Sequence, residues 1–404
     1  MSKLALFGGT PVSEKICPQP WPPISESTAD KMRELYLSRA WSFNSQAEQD
    51  FEVAYADYHD AKHGIFMVNG TVTLECALLA GGVGEGDEVI IPALTWIATA
   101  MAVRYVGAIP VFVDIEPTTL CLDPQKAEAA ITPKTKAIIP VHLYGSMADM
   151  DKFKALADKH KLFLIEDCAH MQGGKWNGRG VGSWGDVGSF SFQQSKTLSS
   201  GEGGICLTND DDLAMRLYRA KHIGYPKNVA QGASREGAPV GLTCHNYRGT
   251  AFEAIILKDQ LMDLADLIDR YNKSAEIIKG KIKDITGVRI QSKGRLASPQ
   301  GYYTLAVIFD GKGVKNVPLA HIIEACVAEG LPLGGTYGPV YKHWLFNLAK
   351  DEYRIAGASC PTAEIIGTER TAMLAHPYLG CNDETAAKMG DIIAKVVKNH
   401  KELL

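Results

Sequence analysis

Residues 137–167 read AIIPVHLYGSMADMDKFKALADKHKLFLIED. Two apolar runs, Ala137–Leu143 and Leu162–Glu166, flank a stretch from Asp149 to His160 whose apolar residues recur at helical spacing. Neither run alternates polar with apolar residues. A strand of that kind is covered on both faces, the condition of a sheet lying between helices. Outward on the N-terminal side the rhythm repeats. Val89–Ile91 reads as a strand, Thr95–Val106 as a helix and Val111–Ile115 as a strand. Asp123-Pro124 opens a further helix, with the aspartate as cap and the proline in the first turn. Alternating β and α elements predict an α/β fold with a mainly parallel sheet.

The rhythm begins near residue 62. Residues 1–45 are expected to be irregular, because Pro18, Pro20, Pro22 and Pro23 break helices. Beyond about residue 250 the pattern changes. Ala251 to Ile278 reads as one long helix, Tyr302–Phe309 as a strand, and Leu319–Ala328 and Glu384–Lys398 as helices beside a smaller sheet. The domain boundary is therefore expected near 265, dividing the chain into 1–265 (an N-terminal arm and large domain) and 266–404 (a small C-terminal domain).

Composition narrows the function classes. Of 404 residues, 46% are hydrophobic and 22% charged, enough for a large core in a soluble chain. A net charge of -4 lacks the basic excess of a nucleic-acid partner. No apolar run of the roughly 18 residues a bilayer needs is present, so no membrane span is expected. Met1–Thr10 has no charged region followed by an apolar stretch, so no secretory leader is expected. Nine scattered cysteines without a CxxC pair fit a reducing cytoplasm better than a disulfide framework. Asp210-Asp211-Asp212 reads as a turn and helix start, and no metal site is expected.

Four features carry chemistry. Ser189-Phe-Ser-Phe-Gln-Gln-Ser-Lys196 precedes the turn Gly201-Glu-Gly203-Gly204. A lysine between a buried strand and a glycine-rich turn suits a covalent role, which needs a rigid site and a lowered pKa. Ser191 is placed to give its hydroxyl to a phosphate. Second, Glu166-Asp167-Cys-Ala-His170 puts carboxylates at the C-terminal end of a strand, the edge where open α/β sheets bind ligands. Asp167 could face a protonated ring nitrogen and His170 a phenolic oxygen. Third, Asn69-Gly70-Thr71 opens an apolar helix whose N-terminus could hold an anion. Fourth, Trp96, after Pro92-Ala-Leu-Thr95, could stack on a ring. Singly, each has a plain alternative: a solvated lysine, a helix cap, a packed histidine, a core tryptophan. Together they describe one site for one cofactor.

These segments, with Ile139-Pro-Val-His-Leu-Tyr-Gly145 and Asn246-Tyr247-Arg248, resemble the DegT/DnrJ/EryC1/StrS family of sugar aminotransferases. The resemblance implies the fold-type I architecture of enzymes dependent on pyridoxal 5'-phosphate. That means a large domain with a mainly parallel, seven-stranded-type sheet between helices, and a smaller C-terminal α/β domain. By position, Lys196 would bind the cofactor covalently and shuttle the proton, Asp167 would pair with the ring nitrogen, and Trp96 would stack on the ring. His170 would contact the phenolic oxygen; Gly70, Thr71 and Ser191 would hold the phosphate. Asn246 would reach the neighbouring subunit's phosphate, which makes the active unit a homodimer with shared sites. Gln193-Gln194 before Ser195-Lys196, and Leu94–Ala100, look closest to members acting on keto-cyclitols, with L-glutamine or L-glutamate as donor. Nucleotide-sugar members more often carry His-Pro or Tyr-Pro before the lysine, and aminohydroxybenzoate-forming members share part of the pattern. The segment Gly249-Thr-Ala-Phe-Glu253 departs from the family's usual run, which bears on the substrate.

Two readings from other classes weigh less. Gly82, Gly84 and Gly86 do not complete a dinucleotide-binding GxGxxG and follow a helix instead of opening one. A cofactor-binding relative without transfer activity would not need both Lys196 and Asp167.

Overall fold

A computed structural model describes residues 3–404 except 228, 230–232, 234 and 235, so Met1 and Ser2 of the leader reading lie outside it. In chain order its first half runs α1 (Glu26–Ser38), α2 (Gln46–Tyr58), β1 (His63–Met67), α3 (Gly70–Ala80), β2 (Glu88–Pro92), α4 (Ile97–Tyr105), β3 (Ile109–Val113), α5 (Pro124–Ala129), β4 (Thr135–Ile138), α6 (Met150–His160) and β5 (Phe163–Asp167). A hairpin of β6 (Lys175–Trp176) and β7 (Arg179–Gly180) leads to β8 (Val187–Ser191), β9 (Gly204–Thr208) and α7 (Asp211–Lys221). The remainder is α8 (Ala251–Met262), α9 (Leu264–Ile282), β10 (Arg289–Ile290), β11 (Thr304–Ile308), α10 (Leu319–Ala328), β12 (Gly334–Gly335), β13 (Arg354–Ile355), α11 (Pro361–Glu364), β14 (Thr371–Ala375) and α12 (Asp383–Lys398).

The large sheet has the order β1-β9-β8-β5-β4-β2-β3-β13. Its pairs are parallel from β8 through β13, and β9 alone runs against the rest. Its strands are fully buried aliphatic runs such as Val89, Ile90 and Ile91, as a doubly covered sheet requires. Each such side chain contributes about 1.5–3 kcal/mol by leaving water. Helix α3 is apolar on every side, so it is buried on every side, against α4, α7 and β8. That burial holds its N-terminus against the C-terminal edge of the sheet. A second, antiparallel sheet, β10-β11-β14-β12, packs with α9, α10 and α12.

The structure departs from the sequence reading in five places: the strand read at 137–143 occupies Thr135–Ile138 instead. The sheet has eight strands, not seven, because β13 pairs with β3 at the edge, Arg354 opposite Val111 and Ile355 opposite Phe112. A two-residue strand has no period to detect. Residues 1–45 are not all irregular: every proline lies before Ser25, whose hydroxyl accepts from Thr28 N–H and starts α1. No residue of α1 is buried, so no apolar stripe announces it. The stretch 251–278 is two helices, broken at Asp263. The buried positions Leu257, Leu261, Leu264 and Ile268 keep helical spacing across the break, which hides it. The strand read at 111–115 sits two residues earlier. Residues 4–12 fold back onto the C-terminal helices, with the N–H groups of Ala5 and Val12 donating to the Glu329 carboxylate.

Candidate active site

Strand β5 ends in two carboxylates that point opposite ways, as a period of two dictates. Glu166 is clamped inside the fold: its oxygens accept from the N–H groups of Trp184 (2.8 Å), Gly185 (2.8 Å) and Gly182 (3.0 Å), and from His142 Nε2 (3.2 Å). With Cys168 these two residues form a buried cluster of metal-ligand types. Its atoms are already engaged, since His142 Nδ1 accepts from Ala148 N–H and the Cys168 thiol donates to the Glu166 carbonyl.

Asp167 faces a cavity of about 830 Å³ at the sheet's C-terminal edge. Its oxygens accept from the Thr99 hydroxyl (2.9 Å) and Ala169 N–H (3.2 Å). Burial raises its pKa, while those two donors and the nearby Lys196 pull the other way. Lys196 enters the cavity from the turn after β8. Its Nζ lies 4.4 Å from the Tyr303 ring centroid. Burial lowers the Lys196 pKa to about 8, against the opposing pull of Asp167. The turn closes because Gly203 takes φ +145°, a conformation side chains rarely adopt.

The start of α3 lies directly on the end of β8. A Cβ on Gly70 would stand 2.5 Å from the Ser191 Cβ, so only glycine allows this approach. The expected free N–H groups are fewer than the sequence suggests, because Asn69 Oδ1 caps both Thr71 N–H and Val72 N–H at 3.0 Å. The groups left for an anion are Gly70 N–H, the Thr71 hydroxyl and the Ser191 hydroxyl. Ser191 accepts weakly from Gln193 N–H (3.4 Å) and keeps its own proton to donate.

His170 stacks on Tyr303, with centroids 4.1 Å apart and planes 16° from parallel. Its Nδ1 accepts from Tyr144 N–H (3.3 Å), which puts the proton on Nε2. Burial holds its pKa well below the usual histidine range, so the ring is neutral. Trp96 lines the cavity, 46% exposed, and meets Tyr337 and His343 only edge-on. Seven of the eight residues expected at the site therefore line one cavity. Asn246 does not: it is exposed on the segment that pairs with His222.

Several residues at the site were not singled out by sequence. Thr99 orients Asp167 from one helical turn beyond Thr95, whose hydroxyl it also meets at 2.9 Å. Tyr303 stands between Lys196 and His170, yet in sequence it reads only as the start of a strand. Tyr337 and Glu202 also line the cavity. The divergent segment 249–253 proves to be a helix start: Glu253 accepts from Thr250 N–H (2.6 Å) and from its hydroxyl (3.0 Å). Gly249 is pressed against the Phe66 ring, which leaves no room for a side chain.

The chain is similar to known proteins over nearly its whole length. Residues 22–393 match the DegT/DnrJ/EryC1/StrS aminotransferase family. The chain is 36% identical over 421 residues to an L-glutamine:2-deoxy-scyllo-inosose aminotransferase of Streptoalloteichus tenebrarius, covering 99% of each chain. An enzyme of the same name from Streptomyces kanamyceticus is 39% identical over 362 residues, 86% of this chain and 83% of that one. Among solved structures, 3-amino-5-hydroxybenzoic acid synthase superposes with a TM-score of 0.85 at 27% identity, covering 96% of this chain and 100% of that one. A lysine and a buried aspartate at the sheet edge, beside a glycine-threonine helix start, are thus set in the architecture these proteins share, and the chain belongs to the DegT/DnrJ/EryC1/StrS aminotransferase family.

Proposed function

We propose that this aminotransferase depends on pyridoxal 5'-phosphate and moves an amino group from L-glutamine, or L-glutamate, to a keto-cyclitol such as 2-deoxy-scyllo-inosose, within aminoglycoside assembly. One observation carries the reading. Lys196 and Asp167 share a cavity with an anion cradle made by Gly70, Thr71 and Ser191. That donor set fits a flat, monophosphorylated aldehyde, and the cradle exists only because residue 70 has no side chain.

When bound, pyridoxal phosphate supplies an aldehyde that takes up the amine and a ring that accepts an electron pair. The chain's residues do the rest. Lys196 would provide the covalent anchor, then take the proton from the donor carbon that bears the amino group and deliver it to the cofactor carbon that receives the nitrogen. Its lowered pKa keeps a useful share of neutral amine near neutral pH. Asp167, held by Thr99 and Ala169, offers its negative charge to the ring nitrogen and keeps that nitrogen protonated. His170 offers Nε2–H to the phenolic oxygen. Trp96, which lines the cavity, would pack against the ring. The three cradle groups hold the phosphate.

The acceptor side supports a neutral polyol. Gln193, Ser195, Tyr303 and Glu202 offer hydrogen bonds, and among the described residues lining the cavity the only Lys or Arg is Lys196. A nucleotide diphosphate is recognised through several cations, which this lining lacks. Asn246 is exposed and outside its own cavity, which supports a role in a neighbour's site, so we read the working unit as a homodimer. Nine free cysteines fit a cytoplasmic enzyme, and no described helix is long and apolar enough to cross a membrane. We place the boundary between a 1–265 large domain and a 266–404 small domain in the first turn of α9, just past its break from α8.

The test is product formation from L-glutamine and 2-deoxy-scyllo-inosose, followed by mass spectrometry. The wild type is expected to release the aminated cyclitol. Lys196→Ala should lose at least about 10²-fold in rate, the lower end for a proton-transferring side chain, with circular dichroism unchanged. Sustained turnover by that variant would remove the assignment of Lys196. Amination of a nucleotide-linked keto-sugar in preference to the cyclitol would remove the acceptor.

A further inference from the structure

Both peptide groups that flank the Cα of Lys196 are held by side chains from far along the chain. The carbonyl before it, on Ser195, accepts from His376 Nε2 at 3.0 Å. The carbonyl after it, on Lys196 itself, accepts from Trp21 Nε1 at 3.1 Å. The two donors touch each other edge to face, with ring centroids 4.6 Å apart. Lys196 N–H donates to the Gln193 carbonyl at 2.8 Å. The Ser195 hydroxyl bonds Gln193 Oε1 (2.7 Å) and Tyr303 Oη (3.1 Å).

We infer that Trp21 and His376 are positioning residues that aim Lys196 by clamping its two peptide groups, with Tyr271 fixing the histidine's tautomer. The inference rests on Lys196 being the working lysine of the proposed function. A carbonyl oxygen only accepts, so Nε2 of His376 carries the proton. Nδ1 is then an acceptor, and the Tyr271 hydroxyl meets it at 3.0 Å. His376 is almost fully buried, and burial lowers its pKa to about 4, so it stays neutral and keeps this arrangement at working pH. With both flanking planes fixed, the Cα–Cβ bond of Lys196 has one direction, and the amine arrives over Tyr303.

The clamp joins three parts of the molecule that the sequence separates. Trp21 lies in the N-terminal arm, Tyr271 in α9, and His376 directly after β14 of the second sheet. A lysine aimed this way stays partly buried in the cavity. Freed from the clamp, its backbone can swing outward and its ammonium can regain solvent, which moves its pKa toward the ordinary lysine value. The groups facing Lys196 are Asp167 on β5, His170 beyond it, Tyr303 before β11 and His376 after β14. Of these only Asp167 is an anion that favours the ammonium, and both histidines are neutral.

The experiment uses the cofactor-free protein, so it does not depend on turnover. Lys196 is labelled with trace acetic anhydride across a pH series, and its peptide is quantified by mass spectrometry against free lysine. The wild-type amine should titrate near about 8. In Trp21→Phe, Tyr271→Phe and His376→Ala it should titrate at least about one unit higher, toward the ordinary ~10.4, so labelling at pH 8 falls at least about fivefold. His376→Gln, whose amide can still donate to the Ser195 carbonyl, should restore labelling to within about twofold of wild type. Wild-type titration in folded Trp21→Phe and Tyr271→Phe would overturn the clamp, as would loss in His376→Gln equal to that in His376→Ala. If His376→Ala does not fold, the Trp21 and Tyr271 variants decide the matter. Retained transamination in Lys196→Ala would remove the proposed function, an outcome separate from any labelling result.

Discussion

Glu166 and Asp167 are neighbours in sequence and differ by one methylene, yet the fold assigns them opposite work. Glu166 is saturated by three backbone N–H groups and His142, and it fastens the loop 182–185. Asp167 is left facing the cavity with only Thr99 and Ala169 as partners. Its raised pKa means that folding penalises its charge. A folded pKa above the unfolded one costs stability as pH rises through the titration, so Asp167→Asn should raise the melting temperature of the cofactor-free protein at pH 7. That gain should vanish as pH falls below about 4, where the unfolded carboxyl is protonated as well. The same variant should lose most of its transaminase rate. A melting temperature unchanged at both pH values would show that Asp167 is not strained by burial. Thr99→Val leaves one Asp167 oxygen without its hydroxyl donor, at an expected cost of about 1–3 kcal/mol, measurable by denaturant unfolding at pH 7. Asp167 was legible from its place at the strand end, whereas alternation says only that it and Glu166 point opposite ways. The Thr99 contact was not, since it joins residues 68 apart through tertiary packing.

At the scale of elements, the site exists because α3 can lie flush on β8. Gly70→Ala would drive its new methyl into Ser191 and push the helix start away from the strand. The expected cost is about 1–3 kcal/mol, as for other overpacked sites. The variant should also bind inorganic phosphate and pyridoxal phosphate more weakly, which a thermal-shift titration would read. Undiminished phosphate binding would place the cradle elsewhere. The elements with strong periods were legible: α6 and α10 fall where their apolar spacing puts them. Elements held by tertiary contacts alone were not. Helix α1 has no buried face, β13 is two residues long, and the break at Asp263 keeps the apolar spacing intact.

For the whole molecule, the position of Asn246 decides how many chains make a site. It is exposed and lies outside the cavity of its own chain, as the proposed role in a partner's site requires. Mixed dimers test this. Lys196→Ala and Asn246→Ala each damage both sites of a homodimer, but a hybrid holds one site with Lys196 from one chain and Asn246 from the other. Co-refolded mixtures should therefore regain activity above the sum of the separate variants. Strictly additive activity would mean that each chain works alone.

The central claim is that Lys196 holds the cofactor, and one measurement meets it directly. The protein is loaded with pyridoxal phosphate, reduced with borohydride to fix any covalent link, digested and mapped by mass spectrometry, with and without prior L-glutamine. The account predicts the phosphopyridoxyl mass on the Lys196 peptide alone, and its disappearance after L-glutamine has displaced the lysine. The mass on another lysine, or on none, would contradict it.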